Sequence, residues 1–260
     1  MSTPTNAPVN AAWTTCELDG HRLEAFLPPP EAGRPPGAIL HLRDIDDLPP
    51  SQVPAWQRAC EASPLPVVSL AGGTTWWLDR VIGRFDSRLS PEAFILGPLT
   101  GWLRERFELP TAAVAVVGQG SGGQGALRLA YRHPAIFPVA AAINPAIDFH
   151  LGMRHGHDWD DGELFDTLWE IFPDVEQARQ ETAILHVHPL NWPRHQWFTS
   201  DPADLRWRDG AERLHSKLVA LGIPHTALLD PAAGDVLAAM SDAAVAFVLQ
   251  ALESESRRVV

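Results

Sequence analysis

Apolar positions along this chain alternate between short strand-like runs and longer amphipathic stretches. The first clear strand signal is Arg22-Leu23-Glu24-Ala25-Phe26-Leu27, where apolar and polar residues alternate with period two, and the proline-rich run that follows to Pro36 ends it in a rigid loop. Ala38-Ile39-Leu40-His41-Leu42 and Val67-Val68-Ser69-Leu70 are nearly continuous apolar runs, as expected of parallel strands covered on both faces. Helical spacing between Glu92 and Phe107, broken at Gly97-Pro98, predicts a helix from about Leu99 to Phe107. The strand Ala113 to Val117 then runs into a glycine-rich turn and a helix that stops at His133-Pro134, and the strand Val139 to Ile143 ends at Asn144-Pro145. After an acidic, aromatic-rich stretch, alternation resumes with a strand Gln196 to Thr199, a helix Ala211 to Leu221, a strand His225 to Leu229 and a closing helix Ala238 to Leu252. Strands alternating with helices in this way imply parallel pairing, right-handed crossovers and helices on both faces: a three-layer α/β fold.

The 260 residues, 45% of them hydrophobic, suffice for one full core. The expected organisation is a flexible N-terminal arm over 1–15 and a single domain over 16–260, with a loop-rich insertion at about 148–180 of irregular structure or short helices over the sheet. The start, Met1 to Pro8, has no basic segment leading into an apolar run, so no secretory signal is expected, and no apolar stretch is expected to reach the ~18 residues of a membrane span. Cys16 and Cys60 are too few for a disulfide framework, which fits a reducing cytoplasm. A net charge of -12 repels phosphate backbones and anionic membranes, so neither nucleic acid nor membrane is an expected partner.

The chemistry concentrates in Gly118-Gln119-Gly120-Ser121-Gly122-Gly123-Gln124-Gly125-Ala126. A phosphate loop is excluded because no Lys-Ser/Thr pair follows the glycines. A dinucleotide fingerprint matches the glycine spacing, but three sheet strands precede the motif and no acid stands at the end of the next strand, where a ribose ligand would be needed. The third reading is a nucleophile elbow, in which small residues flank the nucleophile so that strand and helix can approach closely.

In that reading the run resembles the elbow of the esterase D and antigen 85 group of α/β-hydrolases, Gly-x-Ser-Met-Gly-Gly-x-Gly-Ala. Gly72-Gly73-Thr74-Thr75-Trp76-Trp77-Leu78-Asp79 is similar to that group's aromatic-plus-Asp segment after a strand. The resemblance covers roughly residues 20 to 255 and implies an α/β-hydrolase fold and an esterase ancestry. It puts Gly120 at the nucleophile position and Ser121 where the group has Met. The alternative register, with Ser121 as nucleophile, puts Gln119 where a glycine is required. Glycine cannot attack a carbonyl, so the usual acyl transfer would be lost. The resemblance places the acid at Asp201 or Asp204, after the strand Gln196 to Thr199, and the histidine at Asp235, within Ala233-Gly234-Asp235; no histidine follows. What it leaves is an oxyanion hole, made by the Ser121 N–H and a donor from the loop after His41-Leu42-Arg43-Asp44, with Leu42 and Arg43 as the candidate residues.

Two further readings stay open. Ser121 could serve as nucleophile in an active carboxylic ester hydrolase, aided by His41 or His150. The other is a homologue without catalysis that binds a small ester, carboxylate or glycan, with Trp76 and Trp77 lining the cleft. No cofactor or metal is expected: His155-Gly156-His157-Asp158 with Asp160 and Asp161, and His186-Val187-His188 with His195, lack structural-zinc spacing.

Overall fold

The structure, a computed structural model, describes residues 12–29, 37–155, 162–231 and 236–258. Among the described residues there are eight strands: β1 (Ala12–Leu18), β2 (His21–Leu27), β3 (Ala38–Leu42), β4 (Val67–Leu70), β5 (Val114–Gln119), β6 (Val139–Ile143), β7 (His195–Thr199) and β8 (Thr226–Leu228). They form one sheet in the order β1-β2-β4-β3-β5-β6-β7-β8. Only the β1–β2 and β2–β4 pairings are antiparallel; the pairings from β4–β3 through β7–β8 are parallel.

The helices are α1 (Pro54–Glu61), α2 (Pro91–Phe94), α3 (Thr100–Phe107), α4 (Gly120–Arg132), α5 (Phe149–His155), α6 (Gly162–Ile171), α7 (Val175–Gln180), α8 (Arg208–Ala220) and α9 (Val236–Ser256). One face of the sheet packs on α3, α4 and α8 through Leu103, Ala126, Leu127, Ala130, Leu214 and Leu218. The other packs on α1 and α9 through Trp56, Ala59, Met240, Ala244, Val248 and Leu252. This is the expected three-layer arrangement.

Three expectations need correction. The residues Ala12 to Thr15, assigned to a loose arm, belong to β1, because Asp19 and Gly20 both take positive φ (49° and 85°) and close a tight hairpin. Trp13 then packs on Phe26 with ring centroids 5.4 Å apart and donates to Glu61 Oε1 at 2.8 Å. Residues 1–11 lie outside the described residues. Gly97-Pro98 does not break the helical run: a π-helical segment, Ile95–Leu99, joins α2 to α3 and absorbs the missing proline N–H. The described residues between 148 and 180 form short helices, the second of the two expected forms, with α5, α6 and α7 closing a separate apolar cluster of Phe149, Met153, Phe165, Leu168 and Phe172 around Trp76. Finally, α9 is by length and composition apolar enough to cross a membrane, contrary to expectation, but its inner face is part of the core.

The helix after the glycine-rich turn is anchored by a buried charge. Arg128 of α4 is fully buried and pairs with Glu92, while its other nitrogens reach the Glu181 backbone carbonyl and carboxylate. Arg132 and His133 add bonds of 2.8 and 2.7 Å to Glu92 Oε1. Burial alone would raise the Glu92 carboxyl, but the His133 hydrogen bond and the charges of Arg128 and Arg132 hold it down at about 2.

Candidate active site

The central strand β5 turns directly into α4, and the residue at the bend is Gly120. Gln119 is still extended (φ -121°, ψ 152°), Gly120 has φ +53°, and Ser121 is one residue inside the helix. The glycine spacing has a steric cause centred on position 120. A Cβ on Gly118 would run into the backbone of Gly122, and a Cβ on Gly122 would run into the carbonyl oxygens of Leu42 and Arg43. The two glycines flanking the bend at equal distance are those that let strand, helix and the end of β3 meet.

At Gly120 itself the obstruction is a side chain. A Cβ there would fall inside the carboxylate of Asp44, nearest to Oδ2. Asp44 belongs to the loop leaving β3, and its Oδ1 accepts the backbone N–H groups of Ser121 at 2.9 Å and Ile45 at 2.8 Å. These are the N–H after the bend and an N–H from the β3 loop, the pair that forms an oxyanion hole in this kind of turn. Both N–H groups are therefore taken by Asp44. Burial pushes the Asp44 carboxyl above its ordinary range, against the opposing hydrogen bonds from Ser121 and Ile45.

The loop that presents Asp44 is braced on every side. The Trp77 indole donates to the Arg43 carbonyl at 3.1 Å, and the Arg43 guanidinium reaches Ser69 Oγ at 3.0 Å and the Asp47 carbonyl at 3.1 Å. Asp47 Oδ1 in turn accepts the N–H groups of Gly72 and Gly73 at 2.9 and 2.8 Å. Trp76 and Trp77 take left-handed backbone angles (φ 55° and 57°), a strained conformation for bulky residues that the surrounding packing must enforce.

Several expected site residues stand elsewhere. Leu42 is a core residue of β3, and the Arg43 N–H is spent on the Leu70 carbonyl at 3.3 Å, so in this loop it is the Ile45 N–H, not that of Leu42 or Arg43, that meets Asp44 Oδ1 beside the bend. Trp76 and Trp77 do not line a cleft: both are fully buried, Trp76 stacked between Phe149 and Phe165 and Trp77 pressed onto Gly72 and Gly125. Asp201 Oδ1 accepts from Ala203 N at 2.8 Å, and Asp204 Oδ1 from Arg206 N and Trp207 N at 3.1 and 3.2 Å, so each carboxylate shapes the turn between β7 and α8. The Asp201 N–H bonds Asn144 Oδ1 at 2.7 Å, which ties this turn to the end of β6. Asp235 lies outside the described residues.

Ser121 Oγ is buried; it falls outside strict hydrogen-bonding geometry, and the group it acts on is the Asp44 carboxyl, which it helps to hold down. His41 faces α1, its ring edge-on to Trp56 with centroids 4.6 Å apart and its Nδ1 3.2 Å from Ser69 Oγ. Burial, with a smaller contribution from Arg43, lowers its pKa to about 3, so it is neutral. His150 is likewise lowered, to about 4, by burial first and then Arg179 and Arg154. Of the histidine-acid cluster at 155–161, only His155 is described; among the described residues no three metal-binding side chains converge. His188 Nδ1 accepts the Leu190 N–H at 3.2 Å, and His195 Nε2 meets Glu255 at 3.0 Å, so those histidines serve separate local contacts.

With the geometry in place, comparison with known proteins places the chain. The sequence model of the family described as "Putative esterase" matches residues 62–226, well over half of the chain and including the bend. The chain belongs to this esterase family. No curated protein matches its sequence. The esterase-family fold is similar to that of an S-formylglutathione hydrolase from Agrobacterium tumefaciens, with a TM-score of 0.70 and 14% identity over 93% of this chain and 94% of that one. It is also similar to MPT51 (FbpC1) of Mycobacterium tuberculosis, with a TM-score of 0.62 and 18% identity over 94% of this chain and 100% of that one. A ferulic acid esterase gives a TM-score of 0.67 and 13% identity over 94% and 98%. At such identities the likeness establishes the α/β-hydrolase fold.

Proposed function

We propose that this esterase-family protein does not carry out serine-type ester hydrolysis and acts as a non-catalytic homologue that binds a small molecule. The observation that carries the reading is the Asp44 carboxylate, which takes both oxyanion-hole donors and the space in front of Gly120. An acyl substrate would find no nucleophile at the bend and no free donors for its developing oxyanion. The dinucleotide reading suffers from the same group, since a pyrophosphate at the start of α4 would meet a carboxylate.

The crevice outside the carboxyl ends of the strands, at the switch in strand order, is where open α/β sheets bind ligands. Asp44 and the net charge of -12 favour a neutral ester or glycan there over a carboxylate. Cys16 and Cys60 are unpaired, which supports a reducing, cytoplasmic setting. The test is hydrolysis of p-nitrophenyl butyrate by the protein beside Ser121→Ala. Both are expected at the buffer rate; turnover by the parent that disappears in Ser121→Ala overturns the reading.

A further inference from the structure

The loop that follows the Trp76-Trp77 segment makes a concave place of its own. Residues 80–84 on one side, with Glu170 and Ile171 at the end of α6 on the other, bound an open cleft of about 490 Å³. None of these residues belongs to the bend or to the loop that presents Asp44. The two arginines in the cleft are held differently. Arg84 pairs with Glu170, and both side chains reach solvent. Arg80 has no such partner: among the described residues its guanidinium makes no hydrogen bond and no ion pair, and its Nε is shut off from water as well. Asp79, the adjacent carboxylate, is taken by Ser90 Oγ at 2.7 Å and by Arg132 at 3.2 Å.

What holds Arg80 is stacking. Its guanidinium carbon lies 4.7 Å from the centroid of the buried Phe172 ring, which fixes the plane of the group. A ring covers the face of a guanidinium and leaves its edge, where the N–H donors point, without an acceptor. Donors left in that state are a standing cost that an arriving acceptor removes. The backbone beside it repeats the pattern: the N–H groups of Val81, Ile82, Gly83 and Arg84 meet no acceptor among the described residues, while the Ile82 carbonyl is used twice, by Phe85 at 2.8 Å and Asp86 at 3.1 Å.

These features specify the charge and shape of an occupant. Arg84 and Glu170 offset each other, so the cleft carries one unmatched positive charge, in a protein whose net charge of -12 opposes anything more negative than a monoanion. A carboxylate meets both demands, because its two oxygens lie in one plane and match two parallel N–H groups of a guanidinium edge. A phosphate dianion would call for a second free cation, and the lining residues offer none. We propose that this cleft binds a small aliphatic carboxylate, whose charged end pairs with the edge of Arg80 and whose carbon chain lies on Val81 and Ile171. The loop N–H groups of residues 81–84 supply the remaining donors.

The test titrates hexanoate, its uncharged analogue hexanamide and inorganic phosphate into the isotope-labelled full-length protein and into Arg80→Met, which keeps an apolar stem over Phe172 and removes the charge. NMR follows the backbone N–H signals of Val81 to Arg84 and the Arg80 Nε–H signal, and far-UV circular dichroism checks the fold of the variant. Hexanoate is expected to shift these signals in the parent and to bind about tenfold or more tighter than hexanamide, and tighter by a similar factor than it binds Arg80→Met. If Arg80→Met folds poorly, hexanoate against hexanamide on the parent decides. The inference is overturned if hexanoate leaves these signals unmoved, if hexanamide or phosphate binds there as tightly, or if a folded Arg80→Met binds hexanoate as the parent does. The reading of the bend is independent of every one of these results, since it falls only to Ser121-dependent ester hydrolysis.

Discussion

Replacing Gly120 with serine places a hydroxyl at the bend, and the structure predicts that the protein pays for it in stability. Two costs add. A left-handed φ of +53° at a residue with a Cβ is worth about 1–2 kcal/mol. The new Cβ also falls inside the Asp44 carboxylate, and forcing atoms into an occupied, braced space costs roughly 1–3 kcal/mol. Gly120→Ser should therefore lose about 2–5 kcal/mol, a large share of a typical domain's 5–15 kcal/mol. Asp44→Ala removes the acceptor for the Ser121 and Ile45 N–H groups and should cost about 1–2 kcal/mol by itself. In the double variant the collision is gone, so its loss should be smaller than the sum of the singles by roughly 1–3 kcal/mol. Urea denaturation of the four proteins, fitted with a common slope, measures this coupling. Costs that add to within about 0.5 kcal/mol would mean that Asp44 does not stand in front of position 120, and the argument from the filled hole would collapse.

Three other outcomes follow from the same packing. Gly122→Ala drives a methyl group into the carbonyl oxygens of Leu42 and Arg43, which are backbone at the end of β3 and cannot turn aside; a loss of about 3 kcal/mol or more is expected in thermal or urea melts, and a neutral result would refute the close approach. Arg128→Met leaves Glu92 Oε2 unpaired while Arg132 and His133 still hold Oε1, and should cost about 1–3 kcal/mol, whereas the double change with Glu92→Leu should recover part of it. The third concerns acid. His41, lowered by burial to about 3 from an ordinary 6.5, binds its proton more readily unfolded, so its contribution is complete above pH 6.5 and is lost as pH falls toward 3, with a slope of up to about 1.4 kcal/mol per pH unit. His150 and His186, both lowered to about 4 by burial first, act in the same direction, and a stability profile flat between pH 7 and 4 would contradict all three.

What the sequence makes legible here is decided by whether a residue's role depends on local sterics or on a distant partner. The register of the bend is local: Gly118 and Gly122 must be small because each would strike the other's backbone or the end of β3, so their spacing alone singles out position 120. The β1–β2 hairpin was equally local, since Asp19-Gly20 between two alternating runs is a turn signal that a bland N-terminal composition obscured. Trp76 and Trp77 show the opposite. Two tryptophans after a Gly-Gly pair look the same in sequence whether they line a cleft or fill a core, and only the helices at 149–180 decide that Trp76 is buried. Asp44 is the extreme case. In the sequence it is one of three acids, with Asp46 and Asp47, in a loop that reads as solvated. Its chemistry comes entirely from meeting Ser121 and Gly120, residues that parallel pairing of β3 with β5 brings alongside it. A glycine at a nucleophile position therefore does not by itself describe such a site. The space that a missing side chain leaves is filled by some other group, and the identity of that group sets which chemistry remains.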